Sequence, residues 1–216
     1  MTPVLRILDD VRRLAVFVLV VALVAAGGCR RDSDSTSPPS TSSTVPPEIR
    51  VTASSVEVES MGSGPVAFPD EVRDSVVSTL NAWIDLGVVD PLLSGQPALG
   101  LDAAFTPEAM ARLTPGSPDR TAMLEEGGLA AVRPEKASAT LVALAGQDGA
   151  LSLVTAAVEV AFVRVAGVDQ VRVVRTGEVV LVPVEGGWRI DGYDVVTTHD
   201  TYVPPPATTT TDGSNK

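Results

Sequence analysis

Hydrophobic residues recur every three to four positions between residues 70 and 86, which predicts an amphipathic helix. Asp70 is the expected N-cap and Gly87 the expected stop. One arc of the helical wheel is apolar and the opposite arc is polar. The apolar arc holds Val72, Val76, Val77, Leu80, Trp83 and Ile84, and the polar arc holds Asp74, Ser78, Asn81 and Asp85. We therefore expect this helix to lie on a hydrophobic core.

Two shorter helices are predicted from their N-terminal signals. One extends from Thr106 to Leu113 and the other from Ser117 to Gly127. Each starts with a hydroxyl residue as N-cap, followed by proline at the first helical position and an acidic residue in the first turn. Pro115-Gly116 separates the two helices.

The hydrophobic period changes after residue 136, where valine-rich runs are separated by short turns that contain glycine. This pattern predicts an antiparallel meander of about four strands. A looser alternation over residues 49–58 fits an edge strand or ordered coil. The predicted strands are Ala137–Ala145, Leu151–Val165, Val171–Val184 and Trp188–Thr198. Helices followed by strands predict an α+β domain, with the helices packed on one face of a curved, cone-like sheet.

An apolar run from Leu14 ends at Cys29, the only cysteine of the chain. Arginines precede the run, which is short for a membrane span of about 17–25 apolar residues. This layout predicts an export signal over residues 1–28. The junction Ala26-Gly27-Gly28-Cys29 resembles the lipobox of bacterial lipoproteins. The resemblance implies cleavage before Cys29 and acylation of its sulfur, which would anchor the protein at the extracytoplasmic face of the cell membrane.

Two alternatives to lipidation stay open at this stage. The run could be an uncleaved membrane anchor, because Ala26 is a less common residue than leucine at its lipobox position. It could also be a plain secretory signal cut near Ala26, although that would leave an unpaired cysteine on an exported protein. With one cysteine, no intrachain disulfide can form, so the domain must derive its stability from its core.

Polar segments flank the predicted domain. Residues 29–48 are rich in serine, threonine and proline, which predicts a disordered spacer. Its residues 30–47 reach about 60 Å when fully extended. Residues 203–216 contain prolines and a threonine run, which predict a disordered tail. The folded domain is therefore expected over residues 49–202.

The net charge limits the classes of partner. The chain carries a formal charge of −11, and removal of residues 1–28 takes away three arginines and two aspartates, which leaves −12. So acidic a surface argues against nucleic-acid binding, which requires a basic patch. It also repels anionic lipid head groups.

The order of elements resembles that of the nuclear transport factor 2-like superfamily of α+β domains: one long amphipathic helix, two short helices, and long strands ending in a Gly-Trp-x-Ile hairpin. That hairpin spans Gly177 to Ile190 here, and the likeness covers roughly residues 68–198. It implies a curved sheet wrapped around the long helix, often with a pocket at the wide end. Behind a membrane anchor, the chain also looks similar to envelope proteins associated with mammalian cell entry (Mce) lipid-transport systems.

Catalytic members of that superfamily line the pocket with Asp/Tyr or His/Asp pairs. This chain has one histidine, His199, and two tyrosines, Tyr193 and Tyr202, all near its C-terminal end. Asp194 shares strand parity with Trp188, so a regular strand would direct its carboxylate toward the buried side, where it could act as a general base. A bulge at nearby Gly192 would instead turn Asp194 to water.

The candidate pocket residues are Arg73, Trp83, Glu159, Trp188 and Asp194. Arg73 lies within the apolar arc of the first helix, where it could bind an anionic group, pair with Glu159 or extend past the core edge. Glu159 itself is expected on the solvent face of the sheet. His199 has no second ligand nearby in sequence, which favours a surface histidine over a metal or acid–base site. No cofactor or metal site is expected.

Together these patterns predict a membrane-anchored cell-envelope lipoprotein with a non-catalytic domain that binds a small apolar ligand or an envelope protein. One alternative is an exported hydrolase or isomerase that uses Asp194 with Tyr193, Arg73 or His199. Another is an accessory subunit of a lipid-transport assembly. A buried Asp–His or Asp–Tyr pair in hydrogen-bond contact would favour the enzyme.

Overall fold

The computed structural model describes residues 48–62, 64–126 and 128–204. The predicted signal peptide and Cys29 lie outside the described residues, as do nearly all of the spacer and most of the C-terminal tail. The elements described below extend from Thr52 to Thr201.

Five strands form one mixed sheet in the order β1-β2-β3-β4-β5, which confirms the α+β class. The strands are β1 (Thr52–Ser60), β2 (Ala131–Ala145), β3 (Leu151–Ala166), β4 (Asp169–Val184) and β5 (Gly187–Thr201). Strands β2 to β5 form an antiparallel meander, whereas β1 pairs with β2 in parallel. The parallel pairing follows from the long helical connection between β1 and β2, which returns the chain to the same end of the sheet.

Two sheet predictions need correction. The sheet is not purely antiparallel, because the loosely alternating segment after residue 49 is the parallel edge strand β1. Strand β2 begins at Ala131 instead of Ala137. Pro134 and the register shift that follows it interrupt the alternation on which the prediction depended.

The helices lie between β1 and β2 in the chain. They are α1 (Asp70–Ile84), α2 (Asp90–Ser94), α3 (Pro107–Arg112) and α4 (Pro118–Met123). A π-helical turn, Asp85–Val89, joins α1 directly to α2. Among the described residues, this continuous stretch, Asp70–Ser94, is the one helix long and apolar enough to cross a membrane. Since 56% of its most apolar window is buried inside the protein, we interpret it as a core helix.

The first helix begins at Asp70 as predicted, but its predicted N-cap and its predicted stop are wrong. Pro69 is the N-cap, with no side-chain capping bond, and Asp70 is the first helical residue. Gly87 lies within the π-helical turn, and the helical stretch ends at Gly95, where φ is 68°. A Cβ at position 87 would lie 2.8 Å from Cδ2 of Leu124, so glycine is needed there for close packing instead of termination.

The helices cover the sheet through buried apolar residues and a few hydrogen bonds. Thr79 Oγ1 on α1 donates to the carbonyl oxygen of Trp188 on β5 at 3.0 Å. The predicted hydroxyl caps are confirmed: the Thr106 side chain accepts from the Ala109 amide, and the Ser117 side chain accepts from the Arg120 amide. Fully buried core residues include Val76, Leu80, Trp83 and Ile84 of α1, with Leu141, Phe162, Val173, Leu181 and Ile190 of the strands.

Candidate functional site

The five residues predicted to line a pocket do not come together. Trp83 and Trp188 are buried in core packing. Arg73, Glu159 and Asp194 lie elsewhere, on accessible parts of the surface. The structure therefore does not assemble a pocket from this set.

Asp194 points to solvent because a bulge changes the side-chain alternation of β5. The register shift opposite Val180 and Leu181 leaves Asp191 as the extra residue. Before the bulge Trp188 and Ile190 are buried, and after it Tyr193 and Val195 are buried. Of the two alternatives for this carboxylate, the structure shows the exposed one.

Arg73 and Glu159 pair with other partners. Arg73 is half-exposed and forms ion pairs within α1, with Asp70 at 3.1 Å and Asp74 at 3.3 Å. Glu159 is also half-exposed and accepts from Lys136 Nζ at 2.5 Å. The ion pair between Arg73 and Glu159 that the sequence left open is therefore not formed.

A buried ion pair joins β4 to the chain after α4. Arg175 is fully buried and Glu125 is 3% exposed. Arg175 Nη2 donates to Glu125 Oε1 at 2.6 Å and to the carbonyl oxygen of Leu124 at 3.2 Å. Burial lowers the pKa of the Arg175 guanidinium, and the negative charge of Glu125 partly offsets that effect. This pair is the innermost charged contact of the described domain.

The backbone around Glu125 is held independently of its carboxylate. The Trp83 indole Nε1 donates to the Met123 carbonyl oxygen at 2.8 Å. The Glu125 amide donates to the Gly87 carbonyl oxygen at 2.8 Å. Gly87 has no side chain, which allows the segment that contains Leu124 and Glu125 to pack closely against the π-helical turn. The segment is thus fixed to the π-helical turn as well as to the sheet.

Two further basic side chains lie on the solvent side of Glu125. Arg164 Nη1 is 3.8 Å from Glu125 Oε2, and His199 Nε2 is 4.0 Å from Glu125 Oε1. Their side chains are 34% and 40% exposed, whereas Arg175 is fully buried. We call Glu125, Arg164, Arg175 and His199 the Glu125 cluster.

The strand register explains why three basic residues meet. Arg175 is opposite Thr197, Val173 is opposite His199, and Val171 is opposite Arg164. These are successive rows on one face of the sheet, since alternate residues of a strand share a face. The basic side chains therefore line the same end of the sheet, and Glu125 lies against them.

A second polar contact connects α3 and α4 to β5. The Tyr193 hydroxyl lies 3.3 Å from the Ala109 carbonyl oxygen and 3.4 Å from Asp119 Oδ2. The Arg112 guanidinium stacks 4.3 Å from the centre of the tyrosine ring, and Arg112 Nε is 2.8 Å from Asp119 Oδ2. Desolvation raises the pKa of Tyr193 to about 12; the positive charge of Arg112 opposes this rise and Asp119 adds to it.

This tyrosine contact lacks the features of an acid–base pair. Asp119 is 35% exposed and is engaged by Arg112. The raised pKa makes the Tyr193 hydroxyl harder to deprotonate than an ordinary tyrosine, so it is a poor proton acceptor. It is not the buried Asp–Tyr pair that would favour an enzyme. Among the described residues, no group of three or more His, Cys, Asp or Glu side chains is placed to hold a metal ion.

An apolar depression of about 490 Å³ lies on the surface beside α2. We call it the leucine depression; it is lined by Leu86, Asp90, Leu93, Ser94, Gln96, Pro97 and Leu99. Leu99 is 74% exposed, as is Leu129 at 75%. Leu129 lies close to Gly95, between the lining residues Ser94 and Gln96: the Cβ of Leu129 is 3.9 Å from where a Cβ of residue 95 would be. Several leucines thus remain accessible in one region.

Sequence reasoning missed the Glu125 cluster, although one signal was present. Arg175 shares strand parity with Val173 and Val179, both fully buried, so the alternation already placed it inside. Glu125 lies in a loop after α4, where no periodicity predicts burial. The pairing itself depends on how the loop packs on the sheet.

Comparison with known proteins adds no relative. No protein-family model, no curated protein and no solved structure matches this chain.

Proposed function

We propose that this chain is a cell-envelope lipoprotein that presents a non-catalytic binding domain on the extracytoplasmic face of the membrane. The lipobox-like junction ending at Cys29 supports the anchor, because two acyl chains on one cysteine give stable membrane attachment. The Ser/Thr/Pro-rich segment that follows supports a spacer between anchor and domain.

For the domain, we infer a cone-like arrangement of the nuclear transport factor 2-like kind. The buried face of α1 and the Thr79–Trp188 hydrogen bond support it, since both hold the long helix against the sheet. The helices-then-strands order of the chain agrees with this inference.

The leucine depression is the feature that supports the proposed binding function. Contiguous apolar surface rimmed by polar residues is typical of interaction sites. Here Leu93 and Leu99 are accessible beside Asp90, Ser94 and Gln96. A protein of the envelope is the favoured occupant over the membrane surface, because the strongly acidic chain is repelled by anionic lipid heads.

A non-catalytic role is supported by the position of the candidate catalytic groups. Asp194 is exposed, and its neighbour Tyr193 points to the opposite face, into the contact with Asp119. The hydrolase or isomerase alternative requires these groups to share one pocket, and their arrangement disfavours it.

Photo-crosslinking in cells tests the binding surface. A photoreactive amino acid is placed at Leu99 in the full chain, with Val196 as the matched control because it is also exposed but lies on β5. We expect one adduct of defined mass at position 99, reduced when Leu93→Asp is added, and none at position 196. Equal adducts at both positions, or none at 99, would contradict the proposal.

A further inference from the structure

The guanidinium of Arg175 uses only part of its hydrogen-bonding capacity. Nη2 makes both contacts, to Glu125 Oε1 and to the Leu124 carbonyl oxygen. Nε and Nη1 are buried without a hydrogen-bond partner among the residues that the structure describes. Arginine often binds a carboxylate through two parallel N–H groups. Arg175 therefore has unused donors next to a carboxylate that it holds through one nitrogen.

The Glu125 cluster carries more positive than negative charge. Arg164 and Arg175 both face the single carboxylate of Glu125, with His199 beside them. This local excess occurs in a chain with a net charge of −11. Within the cluster, one of the two guanidinium charges is therefore not balanced by the carboxylate of Glu125.

One member of the cluster, Arg164, also lines a surface depression at the end of the sheet. The depression, of about 420 Å³, is lined by Arg164, Val168, Asp169, Gln170, Val171, Thr201, Tyr202 and Pro204. Arg164 belongs both to this depression and to the cluster. One acid, Asp169, lies on the rim and is exposed. Glu125 thus contacts Arg164, at the depression, through Oε2 and the buried Arg175 through Oε1.

We propose that Arg175 anchors a binding site for small monocarboxylates, which the chain itself fills with the side chain of Glu125. A ligand carboxylate enters past Arg164, replaces the carboxylate of Glu125 and binds the Arg175 guanidinium through two nitrogens. This site lies apart from the leucine depression, and the inference does not depend on the proposed function.

Only the side chain of Glu125 has to move in this exchange. The backbone on either side is held by the Trp83–Met123 bond and by the Glu125–Gly87 bond, neither of which involves the carboxylate. In the proposed exchange, the displaced carboxylate turns toward Arg164 and His199, whose side chains are 34% and 40% exposed. The loop therefore keeps its place while the carboxylates exchange.

Removal of the internal carboxylate provides the first test. Butyrate is titrated into the full-length protein in detergent, as wild type and as Glu125→Ala, with calorimetric detection. We expect butyrate to bind Glu125→Ala about tenfold more tightly or better, because the competing side chain no longer occupies the site. The double variant Glu125→Ala/Arg175→Met loses this binding. Glu159→Ala, which removes a surface carboxylate paired with Lys136, behaves like the wild type.

The unmodified protein provides a second, independent readout. His199 is the only histidine, so its ring proton signals in an NMR spectrum are unambiguous. In wild type we expect them to shift and saturate with butyrate and to stay unchanged with butyramide, the neutral analogue. This measurement applies even if the variants do not fold.

Three results would overturn the proposal. The first is that Glu125→Ala binds butyrate no more tightly than wild type. The second is that butyramide shifts the His199 signals as butyrate does. The third is that inorganic phosphate binds as tightly as butyrate, which would indicate a general attraction of anions instead of a carboxylate site.

Discussion

Nη2 of Arg175 lies 2.6 Å from Oε1 of Glu125, with both side chains inside the protein. The contact joins the middle of β4 to the loop after α4, 50 residues apart in the chain. A buried pair of this kind offsets a desolvation cost that either charge alone would leave uncompensated. Loss of either residue is therefore expected to cost more stability than loss of one partner from a surface ion pair.

Loss of one partner is expected to be costly. Arg175→Met leaves the Glu125 carboxylate buried without its main partner, and we expect the free energy of unfolding to fall by about 3–5 kcal/mol. The double variant Arg175→Met/Glu125→Gln removes both charges and recovers a large part of that loss. Chemical denaturation of each variant measures the change.

A surface pair provides the matched control. Lys136→Met breaks the contact with the half-exposed Glu159, and it should cost less than about 1 kcal/mol because solvent screens both charges. An Arg175→Met variant as stable as Lys136→Met would show that the buried pair contributes no more than an exposed one.

Tyr193 is expected to make the folded domain less stable at high pH. Its pKa is raised to about 12, mainly by desolvation, whereas tyrosine in the unfolded chain titrates near about 10. Between these values the unfolded state binds fewer protons than the folded state, so stability falls as pH rises. The contribution is complete below about pH 10 and is lost progressively as the pH rises to about 12.

Tyr193→Phe isolates this contribution. Since phenylalanine does not ionise, the variant should lose less stability than wild type between about pH 10 and pH 12. Denaturation curves measured at several pH values compare the two slopes. Identical slopes for wild type and Tyr193→Phe would contradict the assigned burial of the hydroxyl.

Gly177 permits the close approach of β4 and β5. Its φ is 152°, and a Cβ there would lie 2.0 Å from the Asp194 carbonyl oxygen. Gly177→Ala should therefore cost more than about 4 kcal/mol, since backbone must move to relieve the clash. Gly186 is the control: its φ is 84° but no atom lies within 4 Å of the added Cβ.

The control separates backbone strain from the steric clash. Gly186→Ala introduces only an unfavourable φ, at about 1 kcal/mol. Thermal unfolding of both variants should rank Gly177→Ala well below Gly186→Ala. The reverse order would mean that the contact between β4 and β5 can relax freely around residue 177.

Local sequence patterns predicted several elements because their causes are local. The 3.6-residue period places Leu80 and Trp83 in the core, and the Thr106 and Ser117 hydroxyls cap α3 and α4 as expected. The predicted end of the first helix was wrong, because Gly87 does not stop the helix. It packs closely against Leu124, a residue distant in sequence. Tertiary packing decided the role of that glycine.

The candidate sites were harder to predict for the same reason. Whether the Asp194 side chain is buried or exposed depends on one bulge, which turns every later side chain of β5 to the other face. Alternation in β4 could have identified Arg175 as buried. Its partner Glu125 could not be identified, because the loop position follows from hydrogen bonds to Trp83, Gly87 and Arg175 that no sequence period encodes.

The most direct test of the anchored-lipoprotein account is the intact mass of the protein extracted from membranes, with wild type measured beside Cys29→Ala. Lipid anchoring at Cys29 predicts a mature wild-type chain that begins at Cys29 and carries the mass of a diacylglyceryl or triacyl group. It also predicts that the variant lacks this modification and is not cut before residue 29. A full-length, unmodified wild-type chain would contradict it and make residues 14–28 a membrane anchor.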